Sequence, residues 1–169
     1  MDSEPLALTV ASRLGEALSR QGLTLTVAES CTGGMVAAAL TTVPGSSRWF
    51  GYGFVTYSSE AKARLLGLES TYLDSDHIVS AETAVAMARA ARKRALADLA
   101  IGVTGIAGPS GGTACCPVGT VAIAWALGDE IEAQTFHFPG DRERVRAQAV
   151  LSALGGLETR LTRGLLARP

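Results

Sequence analysis

Aromatic side chains make up only 5% of the 169 residues, and lysine occurs twice, at Lys62 and Lys93, against thirteen arginines. A core poor in aromatics and rich in Ala and Val suits helices packed closely over a sheet. The arginine bias reflects composition, but it makes each lysine notable, because arginine does not deprotonate at useful pH whereas a buried lysine does. Net charge is −1, which leaves no electrostatic footprint for nucleic acid or an anionic membrane surface. Three cysteines, Cys31, Cys115 and Cys116, form no CxxC pair and have no metal-ligand spacing. Adjacent Cys115 and Cys116 bridge only with strain. The opening MDSEPLALTV has neither a basic n-region nor a long apolar h-region, and no run of 18 apolar residues occurs. The expectation is a protein of the reducing cytoplasm that needs no disulfide, metal or cofactor.

What is present fits one domain over residues 1–169 with a core from about 6 to 161. PLALTVASRLGEALSRQG spaces Leu6, Val10, Leu14 and Leu18 by four, predicting an amphipathic helix that stops at Gly22. Leu23 to Ala28 reads as a strand, followed by a turn and a helix to about Leu40. Tyr52 to Ser58 reads as a second strand, and SSEAKARLLG as a short helix ending at Gly67. The segment from Ser80, with Glu82 in its first turn, predicts the longest helix. Leu99–Val103 and Val118–Leu127 read as buried strands, a hairpin is expected at Gly128-Asp129, and the last helix runs from Arg142 to about Arg163. Helices between the early strands imply parallel pairing. The fold class is α/β: a single three-layer α/β/α domain with a mixed, mostly parallel sheet.

The segment TVAESCTGGMVAAAL runs a strand into two hydroxyls, a thiol and two glycines at a helix start, where N–H groups lack intrahelical partners. Ser30 is either an N-cap or a nucleophile with the following N–H groups as an oxyanion hole; Cys31 is the rival nucleophile. A serine nucleophile needs a base. His77 and His137 are candidates, and so is Lys62, which follows the second strand closely enough to share a sheet end with Ser30, beside Tyr57. VTGIAGPSGGTACCPVG carries five glycines between buried strands, at the edge where α/β folds bind ligands. Its hydroxyls are Thr104 and Ser110, and Gly111-Gly112 form a candidate anion nest. FPGDRERVR places Arg142, Arg144 and Arg146 at a helix N-terminus, where their charge opposes the dipole; a phosphate nearby would offset that cost, and a solvated face is the plainer alternative.

Five stretches in this order, VAESCTGG, GFVTYSSEAK, GVTGIAGPSGGT, PVGTV and FPGDR, resemble the CinA C-terminal domain family, whose stand-alone form is the PncC-type nicotinamide-nucleotide amidohydrolase. The resemblance runs from about Leu6 to Leu161. It implies an α/β/α domain without metal or cofactor that deamidates nicotinamide mononucleotide (NMN) to nicotinate mononucleotide and ammonia, in the pyridine nucleotide cycle of NAD metabolism. It also implies homo-oligomers, while the charge balance and the lack of an apolar span lead to the expectation of no nucleic-acid or membrane partner. Carried over by motif, Ser30 is the nucleophile, Lys62 the base, and Tyr57 a relay or orienting group. Thr32, Gly33 and Gly34 hold the oxyanion. Thr104, Gly111, Gly112 and Arg142 contact substrate, with Arg142 on the phosphate. One departure stands out: Cys115 and Cys116 occupy positions where the family commonly has an acidic residue and a lysine. The alternative class is a non-catalytic nucleotide-binding or protein-interaction module linked to competence and DNA damage.

Overall fold

Strand β4, Thr120–Leu127, sends Val121, Ile123, Trp125 and Leu127 to one face of the sheet and Ala122, Ala124 and Ala126 to the other. Side chains of a strand alternate between faces, so this sequence builds one thick core and one thin one. The structure is a computed structural model and describes residues 3–74 and 78–163. On the thick side, α1 (Ser3–Gln21), α2 (Met35–Thr41) and α5 (Arg142–Thr162) cover Leu25 and Val27 of β1 (Leu25–Glu29). The same helices cover Leu99, Ile101 and Val103 of β3 (Leu99–Gly105). Each fully buried aliphatic side chain there contributes about 1.5–3 kcal/mol of transfer free energy.

On the thin side, α4 (Ala81–Ala95) lays Ala84 and Ala88 on Ala100, Ala122, Ala124 and Ala126. A Cβ on Gly102 would stand 2.3 Å from the carbonyl oxygen of Ala84 and 2.8 Å from the nitrogen of Ala88. The helix backbone therefore rests on the strand backbone, a distance only glycine allows.

The sheet order is β2-β1-β3-β4-β5, with β2 spanning Phe50–Val55 and β5 spanning Glu130–His137. β1 pairs in parallel with β2 and β3; β4 pairs antiparallel with β3 and β5. The mixed three-layer architecture and the hairpin at Gly128-Asp129 agree with the sequence reading. Between β2 and α4, a turn of α-helix, α3 (Ser59–Ala61), widens into a π-helical turn over Lys62–Leu66 and stops at Gly67.

Three expectations shift. The buried stripe of α1 runs through Ala7, Val10, Ala11, Leu14 and Leu18, while Leu6 is exposed, because the helix packs with a wider face than spacing by four suggests. α4, at 15 residues, is shorter than α1 at 19 and α5 at 21. β2 ends at Val55 rather than Ser58, because the Ser58 hydroxyl caps α3, accepting from the N–H of Ala61 at 3.0 Å.

Candidate active site

The registers Glu29↔Val55 and Glu29↔Val103 align the carboxyl ends of three parallel strands. The residues that follow, Ser30, Thr56 and Thr104, therefore form one row along the sheet edge. Backbone bonds fix it: Ser30 N–H donates to Val103 O at 3.0 Å and Thr56 N–H to Glu29 O at 2.8 Å. This is the edge at which α/β sheets bind ligands, and a cleft of about 350 Å³ opens there. Ser30, Tyr57, Thr104, Ser110, Gly111 and Arg142 are among its lining residues.

Lys62 enters this row from below. The π-helical turn that begins at Lys62 directs its side chain back under the strand ends, where it is 1% exposed. Its Nζ lies 2.9 Å from Ser30 Oγ and donates to the carbonyl of Thr56 at 3.0 Å. Burial lowers the Lys62 pKa, and the Cys31 side chain acts in the opposite direction. Removing an ammonium from water disfavours its charged form, so the site pushes Lys62 toward the neutral amine, a proton acceptor beside a hydroxyl.

Cys31, also buried, is pushed by its desolvation to a pKa of about 12. It is a neutral thiol at ordinary pH, and the thiolate is the reactive form. Ser30 is not an N-cap: α2 begins after Gly34, whose left-handed φ of 95° ends the turn without a side-chain cap.

The helix terminus that the sequence offers as an anion site is filled from within. Glu29, 0% exposed, accepts from the N–H groups of Gly34 at 3.0 Å and Val36 at 3.1 Å through Oε2, and from Ala37 at 2.9 Å through Oε1. Gly33 N–H donates to Ser30 O at 3.0 Å. The oxyanion role expected of Gly33 and Gly34 thus meets donors already engaged, whereas Thr32 N–H finds no acceptor on another described residue and Cys31 N–H meets only its own sulfur. The Thr32 hydroxyl is buried without a hydrogen-bond partner among the described residues.

Across the cleft, Arg142 donates from Nη2 to the Tyr57 hydroxyl at 2.6 Å and from Nη1 to Gly108 O at 2.9 Å. Tyr57 is therefore held by Arg142, with its hydroxyl bonded to neither Ser30 nor Lys62. Thr104 donates its hydroxyl to Ile78 O at 2.7 Å, joining β3 to the far wall of the cleft. Gly111 lines the cleft; Gly112 does not, and lies where a Cβ would come within 2.8 Å of the Val118 nitrogen.

Arg146 departs from the phosphate-cluster reading: it donates to the carbonyls of Cys31 at 3.1 Å and Thr32 at 2.9 Å. Glu29 is the site residue that sequence reasoning missed, and Arg146 is one it singled out for a different role. The signal for Glu29 was an acid at the strand end before a helix with no acid in its first turn; for Arg146 the signal of basic residues at a helix start was there, but not its partner. Of the histidines, His137 is exposed at the end of β5 and does not line the cleft, and His77 lies outside the described residues. Among the described residues no group of three His, Cys, Asp or Glu side chains converges as a metal site, and no helix is long and apolar enough to cross a membrane.

The sequence model of the CinA C-terminal domain matches residues 7–161. The nicotinamide-nucleotide amidohydrolase PncC of Pseudomonas putida is 48% identical over 149 residues, covering 88% of this chain and 93% of that protein. A CinA-like protein of Geobacter metallireducens is 49% identical over 160 residues, but the chain spans only 38% of its length. Among solved structures, a CinA superfamily protein of Klebsiella pneumoniae superposes with a TM-score of 0.89 at 39% identity, covering 93% of this chain and 98% of that one. Its Escherichia coli counterpart gives 0.86 at 39% identity, with 90% and 88% covered.

Proposed function

The chain belongs to the CinA C-terminal domain family, and from that premise we propose that it is a serine amidohydrolase that deamidates nicotinamide mononucleotide. The observation that carries the reading is the buried contact of 2.9 Å between Lys62 Nζ and Ser30 Oγ at the floor of the cleft. A serine hydroxyl is a weak nucleophile until a base takes its proton, and a lysine kept from its charge by burial is such a base. The naming of the Pseudomonas putida relative as a nicotinamide-nucleotide amidohydrolase supports the substrate.

In this reading the nucleotide's phosphate meets the exposed guanidinium of Arg142 and the N–H of Gly111, and the carboxamide lies over Ser30. Tyr57 orients Arg142. Lys62 Nζ takes the hydroxyl proton as Ser30 Oγ bonds to the carboxamide carbon. The N–H of Cys31, next to the nucleophile, and that of Thr32 hold the oxyanion. Lys62 returns the proton to the departing nitrogen and ammonia leaves. Water, deprotonated by Lys62, then attacks the acyl-enzyme to release the carboxylic acid and restore Ser30. One oxyanion donor is worth about 2.7–4 kcal/mol of transition-state stabilisation.

The test is ammonia release from nicotinamide mononucleotide by the purified protein, with Ser30→Ala and Lys62→Arg alongside. Turnover by the parent and by neither variant is expected, since arginine keeps the charge but cannot act as base. Nucleotide binding without turnover in the parent would favour a non-catalytic module instead.

A further inference from the structure

Glu29 and Arg146 grip the nucleophile turn from two sides, and neither touches the space where a substrate would sit. Glu29 is the last residue of β1 and Ser30 is the next, so the carboxylate and the nucleophile share one short stretch of backbone. The carboxylate then folds forward over the turn to accept from three N–H groups at positions 34, 36 and 37. The partial positive charge of a helix N-terminus favours such an anion. It thereby ties the strand end to the start of α2. Between these anchors lie only Ser30, Cys31, Thr32 and Gly33.

The carbonyls of Cys31 and Thr32 point to Arg146 on α5, which takes one from Nε and the other from Nη2. In a planar trans peptide the N–H points opposite to the carbonyl. Holding Cys31 O therefore also fixes the direction of Thr32 N–H. A fork with two nitrogens sets both peptide planes at once, which an ammonium cannot do. Gly33 is exposed to within 3.2 Å of Arg146 Nη2 at its would-be Cβ, so the guanidinium lies directly against the turn.

We infer that Glu29 and Arg146 form a clamp that positions the Ser30 turn for attack, acting through backbone amides rather than on substrate. This rests on Ser30 being the nucleophile, as proposed above. Both are positioning residues: the clamp sets where Ser30 Oγ and the neighbouring N–H groups stand, while the binding contacts at Arg142 and Gly111 lie elsewhere. Its loss should appear in kcat and leave KM nearly unchanged, because a misplacement of 1 Å costs about 10²-fold in rate.

The experiment uses the full chain with Glu29→Gln and Arg146→Lys, read in two ways: kcat and KM for ammonia release from nicotinamide mononucleotide, and the rate at which a fluorophosphonate labels Ser30, followed by mass. Gln keeps one acceptor oxygen but turns an NH2 against an amide donor of α2; Lys can hold one carbonyl but not both. The expected result is a loss of kcat of about 10²-fold for Glu29→Gln and about tenfold for Arg146→Lys, with labelling slowed in parallel. Unfolding midpoints are measured on the same samples so that rates are expressed per folded molecule. Lower midpoints with unchanged kcat and labelling per folded molecule would overturn the clamp, leaving both groups as structural only. If Glu29→Gln does not fold, Arg146→Lys decides alone. A parent that is labelled at Ser30 but does not act on the nucleotide overturns the substrate reading, while the labelling rates still judge the clamp. A parent silent in both assays overturns nucleophile and clamp together.

Discussion

Cys31 and Ser30 are adjacent and both line the cleft, yet the site treats them in opposite ways. Lys62 reaches the serine, whereas burial raises the thiol to a pKa of about 12. At pH 8 the thiolate fraction of such a group is about 10⁻⁴, and only the thiolate alkylates readily. Cys115, by contrast, is exposed on the loop between β3 and β4. Iodoacetamide at pH 8 should therefore modify Cys115 in the folded protein while sparing Cys31, with Cys31 reacting only after denaturation; peptide mass mapping reads this directly. Alkylation of Cys31 at a rate comparable to Cys115 would remove the protonation argument against Cys31 as nucleophile, leaving only the Lys62 contact to favour Ser30. Sequence alone left these two open, because adjacent residues share a motif and differ only in which side chain meets the lysine, a question of tertiary contact.

At the scale of elements, the thin side of the sheet depends on Gly102. Gly102→Ala would bring a methyl to 2.3 Å from the Ala84 carbonyl oxygen, a backbone atom that no rotamer change can move. α4 must lift from β3, separating Ala84 and Ala88 from the alanine face and Met87 and Ala91 from Ala28, Leu66 and Leu68. Overpacking of this kind costs about 1–3 kcal/mol. Urea denaturation of the variant should show that loss, and an unchanged midpoint would mean that the helix backbone does not rest on β3 at Gly102.

What was legible in the sequence divides along the same line. Ser58, Ser80 and Asp141 announce helices locally, and each accepts an N–H three residues on, from Ala61, Thr83 and Arg144. The alternation in β4 and the hairpin at Gly128-Asp129 are likewise local patterns. Lys62 at the same sheet end as Ser30 followed from its distance past the second strand, whereas Thr56, read as inside that strand, was not expected beside Ser30. Glu29 was not legible, and neither was the partner of Arg146. Glu29 caps α2 from five residues before Gly34, outside any capping pattern, and Arg146 reaches the turn from the far end of the chain because α5 packs beside α2. The end of β2 was misplaced for a related reason: β-branched and aromatic residues continue through Tyr57, but the Ser58 cap takes the backbone away from the ladder.

For the whole molecule, burying Lys62 is a cost borne by the fold rather than by the site. Burial lowers its folded-state pKa beneath the value of about 10.4 that it takes in the unfolded chain. Between those two values the unfolded chain binds more protons than the folded one, so stability rises with pH across that interval. Below it both states are protonated and the full penalty remains; above it both are neutral and the penalty is gone. Lys62→Met replaces the amine with an apolar chain of similar length and removes this dependence, while leaving Ser30 Oγ and Thr56 O without their partner at every pH. The stability of the variant minus that of the parent should therefore be most positive on the acid side and fall as pH rises toward about 10.4, reaching a negative value once only the lost hydrogen bonds count. Urea unfolding of both proteins at a series of pH values measures the difference. A constant offset would show that Lys62 titrates alike in the folded and unfolded chain, and a lysine titrating near its ordinary value could not serve as the base at neutral pH. The rate should share the folded-state titration: kcat/KM climbs with pH as Lys62 loses its proton and levels off above its folded-state pKa. The rate's midpoint should therefore fall at the pH where the stability difference begins to drop, below the value of about 10.4 at which it stops.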